Sequence, residues 1–413
     1  MPVPAPRCRF CQTPLQEKVI DLGEHPLSNA YLTREQLHAA EPRYPLCVYL
    51  CTECLLMQIE AVETRDHIFN DTYAYFSSFS TSFLAHAQRY VEAMIERFDL
   101  TPEASHIVEV ASNDGYLLQY FHQRGFNVLG IEPTASTADA AREKGVETLE
   151  EFFGTGLALA LAGAGHQADL LLGNNVLAHV PDINDFIGGL QVYLKPDGII
   201  TMEFPHLLQL IAGGQFDTIY HEHFSYLSFS TVDTLFRMHG LRLFDVDELP
   251  THGGSIRIYA CHANASRPVA DSVEAMKRKE ADFGLLDVPV YRAFGTRVKT
   301  VARELQTFLD EAAAAGKQVA AYGAAAKGNT LLNYCDISTE EIAYVVDRNP
   351  HKQGLYLPGS HIPILAPAHV AESRPDYLLI LPWNLRDEIA AQMAGIREWG
   401  GQFVVPIPSV EVF

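Results

Sequence analysis

Two Cys-x2-Cys pairs near the N-terminus constrain the fold of this chain more than any other feature of its sequence. They are Cys8 with Cys11 and Cys51 with Cys54, and 39 residues separate the two pairs. Two thiolates on one tight turn bind one side of a zinc ion, and a second pair completes the tetrahedron. The cysteine total of seven is odd and the first residues lack the apolar segment of a secretory signal, so disulfides are not expected. We predict a structural four-cysteine zinc site that leaves no position open for catalysis.

The charge balance and composition exclude several classes of protein. The 413 residues include 30 Lys and Arg against 51 Asp and Glu, a formal net charge of −21. This charge argues against nucleic-acid binding, because phosphate contacts require clustered cations. Hydrophobic residues make up 48% of the chain, but no apolar run approaches the ~18–20 residues of a membrane span. We therefore expect a cytoplasmic protein of two to three domains, a monomer or weak oligomer, with neither a nucleic-acid nor a membrane partner.

Downstream of the cysteine pairs, apolar runs typical of buried parallel strands alternate with helical segments. The strands are predicted at His106–Ala111, Asn127–Ile131, Asp169–Leu172 and Ile199–Phe204, with further strands at Arg242–Val246 and Ser255–Cys261. Helices are predicted before the first strand, where apolar residues keep helical spacing from Leu84 to Phe98, and between strands at Tyr116–Arg124 and Ser136–Lys144. This alternation predicts a doubly wound α/β domain.

A second α/β series occupies the C-terminal part of the chain. Residues 266–300 are helical and charged, which we interpret as a connecting segment. Strand-like runs then begin at Val319 and recur at Ile342–Val346, Tyr377–Leu381 and Phe403–Ile407. We expect the division to be residues 1–68 for the zinc-binding domain, 69–265 for the first α/β domain, 266–300 for a helical connector and 301–413 for a Rossmann-like domain.

The turn after the first strand of the doubly wound domain is a candidate nucleotide site. Such a turn brings backbone N–H groups to a ligand at a helix N-terminus, and the acidic Glu132 at the end of the next strand suits ribose hydroxyls. The turn lacks the dinucleotide glycine pattern, which favours S-adenosylmethionine (SAM), a cofactor without phosphate. Two asparagines end a later strand, at the usual ligand crevice of such a sheet. The candidate cofactor-binding residues are Glu109, Ser112, Asn113, Asp114, Gly115, Glu132, Asn174 and Asn175.

Several motifs occur together in one order along the chain. They are the cysteine pairs, Glu109-x-x-Ser112-Asn113-Asp114-Gly115, Asn174-Asn175-x-x-Ala178-His179, Tyr220-His221-Glu222-His223 and His252-Gly253-Gly254-Ser255-x-Arg257. Together they resemble the sugar C-methyltransferases of deoxysugar biosynthesis, and the resemblance covers essentially the whole chain. It implies an N-terminal zinc-binding domain, a central class I SAM-methyltransferase domain and a C-terminal Rossmann-like domain. It also implies a nucleotide-linked keto-deoxysugar substrate, usually dTDP-linked, methylated at C-3 next to the 4-ketone.

Methylation at such a carbon requires a base for the α-proton and a donor for the enolate oxygen. The resemblance assigns the base to His223 and the donor to Tyr220, while Glu222 orients a histidine or a sugar substituent and His179 approaches the same centre. If the Tyr220–His223 run is extended, His221 and His223 share one face and Tyr220 and Glu222 share the other. Tyr75 (or Tyr73), together with Ser77 and Ser78, is expected to close over SAM and the sugar.

Two further motifs are candidates for binding the substrate's diphosphate. His252, Gly253 and Gly254 allow close approach of the backbone, and Arg257 can grip an anion. Lys327 lies where a C-terminal strand passes into a helix, so it adds a cation to helix-start amides. Asp347, after another strand, is either a ribose-binding acid or a structural residue. The alternative function is an NAD-dependent nucleotide-sugar oxidoreductase or epimerase that uses this domain, although the Tyr-x-x-x-Lys pattern of many such enzymes is absent.

Overall fold

The computed structural model describes residues 6–63 and 76–413. In chain order, the strands are β1 (Glu17–His25), β2 (Tyr44–Leu50), β3 (Met57–Ile59), β4 (His106–Val110), β5 (Asn127–Ile131), β6 (Thr148–Leu149), β7 (Ala168–Asn174), β8 (Leu194–Pro205), β9 (Ser225–Tyr226), β10 (Leu241–Leu249), β11 (Ser255–His262), β12 (Val319–Tyr322), β13 (Val345–Val346), β14 (Ile364–Leu365), β15 (Tyr377–Ile380), β16 (Gln402–Val405) and β17 (Glu411–Val412). The α-helices are α1 (Thr81–Phe98), α2 (Leu118–His122), α3 (Ala135–Glu143), α4 (Thr155–Gly163), α5 (Ile183–Tyr193), α6 (Leu207–Gly213), α7 (Phe229–Met238), α8 (Asp271–Phe283), α9 (Val288–Ala314), α10 (Ala326–Tyr334), α11 (His369–Ser373) and α12 (Arg386–Gln392).

The N-terminal sheet has the order β1-β2-β3-β9 and is antiparallel throughout. The second cysteine pair lies on the connection from β2 to β3, and the first precedes β1. Strand β9 comes from the middle of the chain, where Tyr226 pairs with Met57. This two-residue strand was not predicted, because a run so short has no readable periodicity. The zinc-binding domain therefore shares a sheet with the region that follows Tyr220–His223.

The central sheet has seven strands in the order β10-β11-β8-β7-β4-β5-β6. Strands β4 to β8 run parallel to one another, and β10 and β11 add an antiparallel edge next to β8. Because the parallel strands are covered by helices, they read as continuous apolar runs, and the predicted doubly wound α/β domain is confirmed. The helix predicted from Leu84 to Phe98 is α1, whose start is capped by the Ser80 hydroxyl, which accepts from the Phe83 amide at 3.3 Å.

The C-terminal sheet has the order β14-β13-β12-β15-β16-β17 and is parallel except for its last pair. This confirms the predicted second α/β unit. The expected boundary between residues 300 and 301 needs correction, because α9 runs without interruption from Val288 to Ala314. Its buried residues Val298, Val301, Leu305 and Leu309 keep helical spacing through that point. The helical connector therefore does not end at residue 300 but continues to Ala314.

One hydrophobic core joins the three parts of the chain. It includes Val19 from the zinc-binding domain, Leu207 from the central domain, Leu305 from α9, and Leu331 and Leu379 from the C-terminal domain. Burial of apolar area is the main favourable contribution to folding, so these parts stabilise one another. Among the described helices, none is long and apolar enough to cross a membrane.

Candidate active site

The four predicted zinc ligands lie together at the N-terminus. The Sγ atoms of Cys8 and Cys54 are 3.5 Å apart, those of Cys11 and Cys51 3.4 Å, and those of Cys11 and Cys54 3.7 Å. A tetrahedral zinc with Zn–S bonds of about 2.3 Å requires Sγ separations of about 3.8 Å. The residues fit the ion without rearrangement, and Gln58 Nε2 supports the site by donating to Cys8 Sγ at 3.2 Å. This zinc is structural, since all four tetrahedral positions are filled by protein ligands.

The turn after β4 has an unusual backbone. Ala111, Asn113 and Gly115 have φ values of 56°, 49° and 70°, in the left-handed region. Glycine adopts this region freely and asparagine tolerates it, whereas at alanine it costs about 1 kcal/mol. Such strain persists where the surrounding structure holds it, which is common at ligand sites. Here the turn is held from outside, because Asn113 Oδ1 accepts a hydrogen bond from the Ser77 amide at 2.8 Å.

Glu132 and Asn174 direct polar groups into one cavity beside this turn. The Glu132 carboxylate accepts from the amides of Asn113 at 2.9 Å and Thr134 at 3.0 Å. Burial raises the pKa of Glu132, and these amides act in the opposite direction. Both amide atoms of Asn174 are buried without a hydrogen-bond partner among the described residues. Because buried polar groups are nearly always paired, this side chain fits a ligand bound in the cavity.

Five other candidate cofactor residues shape the turn and do not line the cavity. They are Glu109, Ser112, Asp114, Gly115 and Ser78. Lys144 Nζ donates to Asp114 Oδ2 at 3.0 Å and to Ser78 Oγ at 2.8 Å. Ser112 packs closely against Gly130, because a Cβ added at Gly130 would lie 2.4 Å from Ser112 Oγ. Glu109 is fully buried, and burial together with the charges of Asp114 and Glu132 holds its pKa well above the ordinary value.

The run from Tyr220 to His223 forms a turn and is not extended. The His223 amide donates to Tyr220 O at 2.9 Å, which brings the two side chains to the same side. The run therefore does not meet the condition for alternation across two faces, which holds only for an extended segment. Tyr220, Glu222 and His223 line the cavity, whereas His221 lies outside it, with its ring against Tyr44.

The His223 imidazole is fixed in one tautomer by its two neighbours. Its Nδ1 donates to Thr218 O at 2.8 Å, so Nε2 carries the lone pair and accepts from the Tyr220 hydroxyl at 2.8 Å. Burial and the nearby His179, His252 and Lys327 hold the pKa of His223 well below its ordinary value. The ring is therefore neutral at neutral pH, the form that accepts a proton.

His179 and Glu222 complete this side of the cavity. The His179 ring meets that of His223 edge to face, with centroids 4.5 Å apart, and burial lowers the pKa of His179 to about 4. Burial raises the pKa of Glu222 to about 7, and Asn29 Nδ2 donates to its Oε1 at 2.6 Å. Tyr75, which was expected to close over the site, lies outside the described residues.

Only part of the predicted anion site faces the cavity. His252 lines the cavity, and its Nε2 accepts a hydrogen bond from Asn175 Nδ2 at 3.0 Å. Gly253 and Gly254 do not line the cavity. Arg257 also lies elsewhere: its register on β11 sets it opposite Glu203 of β8, and its Nε donates to Glu203 Oε1 at 2.7 Å. The predicted role of Arg257 in gripping a substrate anion is corrected accordingly, because a buried carboxylate already neutralises this cation.

The C-terminal domain contributes two cations to the cavity. Lys327, at the start of α10, lies over the Trp383 ring and donates to Asn384 Oδ1 at 2.7 Å. Lys352 was not identified from the sequence, because it lies six residues beyond the predicted strand end at Val346. Asp347 is satisfied by its own domain, since it accepts from the Ala324 amide at 2.7 Å, and this favours its structural interpretation.

The cavity joins all three parts of the chain and has a volume of about 330 Å³. It brings together ten of the predicted residues: Asn113, Glu132, Asn174, Asn175, His179, Tyr220, Glu222, His223, His252 and Lys327. Residues that line it without having been identified include Asn29, Glu151 and Lys352. No sequence signal marked Asn29. Glu151 follows β6, and this strand of two residues is too short to be recognised from the sequence. The arrangement can hold a cofactor at the sheet ends and a base beside it.

Comparison with known proteins gives a relative that spans the whole chain. The C-methyltransferase NovU of Streptomyces niveus is 37% identical over 409 residues, which cover 99% of this chain and 97% of NovU. Family models match a zinc binding domain at residues 8–69, a methyltransferase domain at residues 83–246 and a C-methyltransferase C-terminal domain at residues 250–408. A ubiquinone biosynthesis O-methyltransferase of Bartonella tribocorum is 30% identical over 95 residues, 23% of this chain and 38% of that protein.

Solved structures of methyltransferases are similar to part of this chain. Magnesium protoporphyrin IX methyltransferase (ChlM) from Synechocystis PCC 6803 with bound SAM has a TM-score of 0.34 and 13% identity, over 43% of this chain and 79% of that chain. The plantazolicin methyltransferase BpumL in complex with SAH has a TM-score of 0.35 and 12% identity, over 44% of this chain and 84% of that chain.

Proposed function

Since the chain belongs to the C-methyltransferase family of NovU and is a SAM-dependent methyltransferase with a structural zinc site, we propose that its substrate is a nucleotide-diphospho-4-keto-6-deoxysugar, methylated at C-3. The family establishes methyl transfer to carbon, which displaces the oxidoreductase alternative. The sugar, the position and the proton chemistry are the proposed part. They are supported by the side chains that line the cavity.

The SAM-binding side of the cavity is assigned to the ends of β4, β5 and β7. The Glu132 carboxylate, oriented by two backbone amides, accepts from ribose hydroxyls. The Asn174 amide, which has a donor and an acceptor without partners, takes the charged amino-acid end. When bound, SAM supplies an electrophilic methyl group. Asn113 fixes the turn beside it by accepting from the Ser77 amide.

Tyr220 and His223 carry the proton chemistry. A sugar C–H becomes nucleophilic only after the proton next to the ketone is removed. The Tyr220 hydroxyl turns from His223 Nε2 to the keto oxygen, and the freed Nε2 accepts that proton. The electron pair of the C–H bond forms the enolate, whose oxygen receives the Tyr220 hydrogen bond. Thr218 O continues to accept from Nδ1 and stabilises the imidazolium.

The opposite side of the cavity suits the sugar substituents and the diphosphate. Glu222, between the base and the C-terminal domain, accepts from a hydroxyl or amine at C-3. Lys327 and Lys352 provide positive charge beside the start of α10, whose residues Ala325 and Ala326 also line the cavity. These cations give a local anion site in a chain of net charge −21.

The single observation that carries this proposal is the Tyr220–His223 hydrogen bond in the cavity that Glu132 and Asn174 line. To test it, the protein is incubated with SAM labelled in its methyl group and a dTDP-linked 4-keto-6-deoxysugar. The product is then examined by carbon–proton correlation NMR. We expect a methyl group bonded to C-3, with turnover lost in His223→Asn while SAM still binds. A methyl group on oxygen, or on a substrate without a ketone, contradicts the proposal.

A further inference from the structure

A loop of the zinc-binding domain crosses to the C-terminal domain beside the cavity. Asn329 Nδ2 donates to Ser28 O at 2.6 Å, and the Tyr31 hydroxyl donates to Ala324 O at 2.6 Å. These contacts lie on both sides of Asn29 in the chain. The backbone of Asn29 is therefore fixed by two anchors on the C-terminal domain.

The side chain of Asn29 enters the cavity between these anchors. Its Nδ2 donates to Glu222 Oε1 at 2.6 Å. If the amide rotated, its oxygen would face the Glu222 carboxylate, and this hydrogen bond would be lost. The amide therefore presents a donor to Glu222, which favours the ionised form of that carboxyl group.

The charge of Glu222 is finely balanced. Burial raises its pKa to about 7, while the Asn29 hydrogen bond and the charge of Lys352 act in the opposite direction. The other titratable groups near Glu222 are His223, which follows it in the chain, His179, whose ring hydrogen-bonds the Glu222 backbone, and Tyr31. The pKa of His179 lies at about 4, so this ring is neutral where Glu222 titrates.

We infer that Asn29 is a positioning residue through which the zinc-binding domain orients the Glu222 carboxylate and favours its ionised form in the cavity. The inference deepens the proposed function, because an ionised Glu222 accepts from the substituent at C-3 of the proposed sugar. The zinc site then serves catalysis indirectly, by folding the domain that supplies this donor. Asn29 itself acts through Glu222.

The test compares Asn29→Leu with the parent protein in two independent measurements. The first follows the carboxyl infrared band of Glu222 against pH and assigns it by its absence from Glu222→Gln. The second is the pH dependence of kcat/KM with the keto-sugar. Gln36→Leu, an exposed amide-to-alkyl change in the same domain, is the control, and zinc content and SAM affinity are measured for every variant.

Loss of the donor raises the pKa of Glu222, so the infrared midpoint should move up by about one to two pH units. The acidic limb of kcat/KM should move in the same direction, with about a five- to fiftyfold loss at pH 7 and recovery as pH rises. Asn29→Leu should add little to Glu222→Gln, and zinc content and SAM affinity should stay unchanged. Gln36→Leu should behave as the parent.

An unchanged infrared midpoint and pH profile in Asn29→Leu would overturn the inference. If Asn29→Leu does not fold, Asn29→Asp is measured in its place. This isosteric change places a second carboxyl group against Glu222 and should also raise the infrared midpoint of Glu222. Failure of the parent to methylate the keto-sugar counts against the proposed function alone, since the infrared titration needs no substrate.

Discussion

Replacing Glu132 by glutamine should weaken SAM binding by about two orders of magnitude. The carboxylate lies at the end of β5, lines the cavity and accepts from the amides of Asn113 and Thr134 at 2.9 and 3.0 Å. Glutamine has nearly the same shape, but one of its two ends is a donor. The glutamine NH2 group must therefore either face a backbone N–H, which is also a donor, or replace the oxygen that accepts from the ribose.

The magnitude follows from these contacts. A hydrogen bond to a charged group contributes about 1.5–3 kcal/mol, and the variant loses the charge that strengthens every bond at this carboxylate. A loss of about 3 kcal/mol corresponds to about a hundredfold rise in Kd. Because burial raises the pKa of Glu132, SAM affinity in the parent should fall as pH is lowered through that pKa, and the Glu132→Gln variant should lack this dependence.

Titration calorimetry with SAM at several pH values measures both effects. Glu143→Gln, a change of an exposed carboxyl at the end of α3, is the matched control and should leave Kd unchanged. A Kd within about threefold of the parent in Glu132→Gln, with the same pH dependence, would refute the assignment of Glu132 to the ribose.

Three further predictions concern the zinc site, the proton chemistry and the buried ion pair. Cys11→Ser should lower zinc content below one equivalent and reduce thermal stability, as measured by mass spectrometry and calorimetry; full zinc occupancy would contradict the four-cysteine site. Tyr220→Phe should reduce kcat by about a hundredfold at unchanged SAM affinity, since one donor to the enolate is lost; an unchanged kcat would remove Tyr220 from the mechanism. Arg257→Met should destabilise the protein by about 3–5 kcal/mol in urea unfolding, because the buried Glu203 carboxylate loses its guanidinium partner and keeps only the His86 imidazole, with little change in KM for the substrate. A raised KM without loss of stability would restore Arg257 as a substrate ligand.

The sheets were predictable where a strand is long enough to carry a pattern. The predicted strand Asn127–Ile131 matches β5, because a strand buried on both faces is a continuous apolar run. The two-residue strands β6 and β9 have no such run. Residues at strand ends, such as Glu132 and Asn174, could be placed at the site because parallel strands end at one edge of a sheet.

Side-chain pairings between distant segments could not be predicted. Arg257 was assigned to an anion because its partner, Glu203, is set by the register of β11 on β8, which the sequence does not state. The contact from Asn29 to Glu222 joins residues 193 positions apart. The turn from Tyr220 to His223 has no glycine or proline to indicate it, so an extended segment was an equally good interpretation.

Proton exchange at the sugar carbon tests the central claim most directly. The protein is incubated in deuterium oxide with the dTDP-linked 4-keto-6-deoxysugar and S-adenosylhomocysteine, which has no methyl group to transfer. Proton NMR then follows the signal at C-3. We predict that the parent exchanges this proton for deuterium and that His223→Asn does not. Retention of the C-3 proton in the parent, or equal exchange in both proteins, would contradict enolisation by His223.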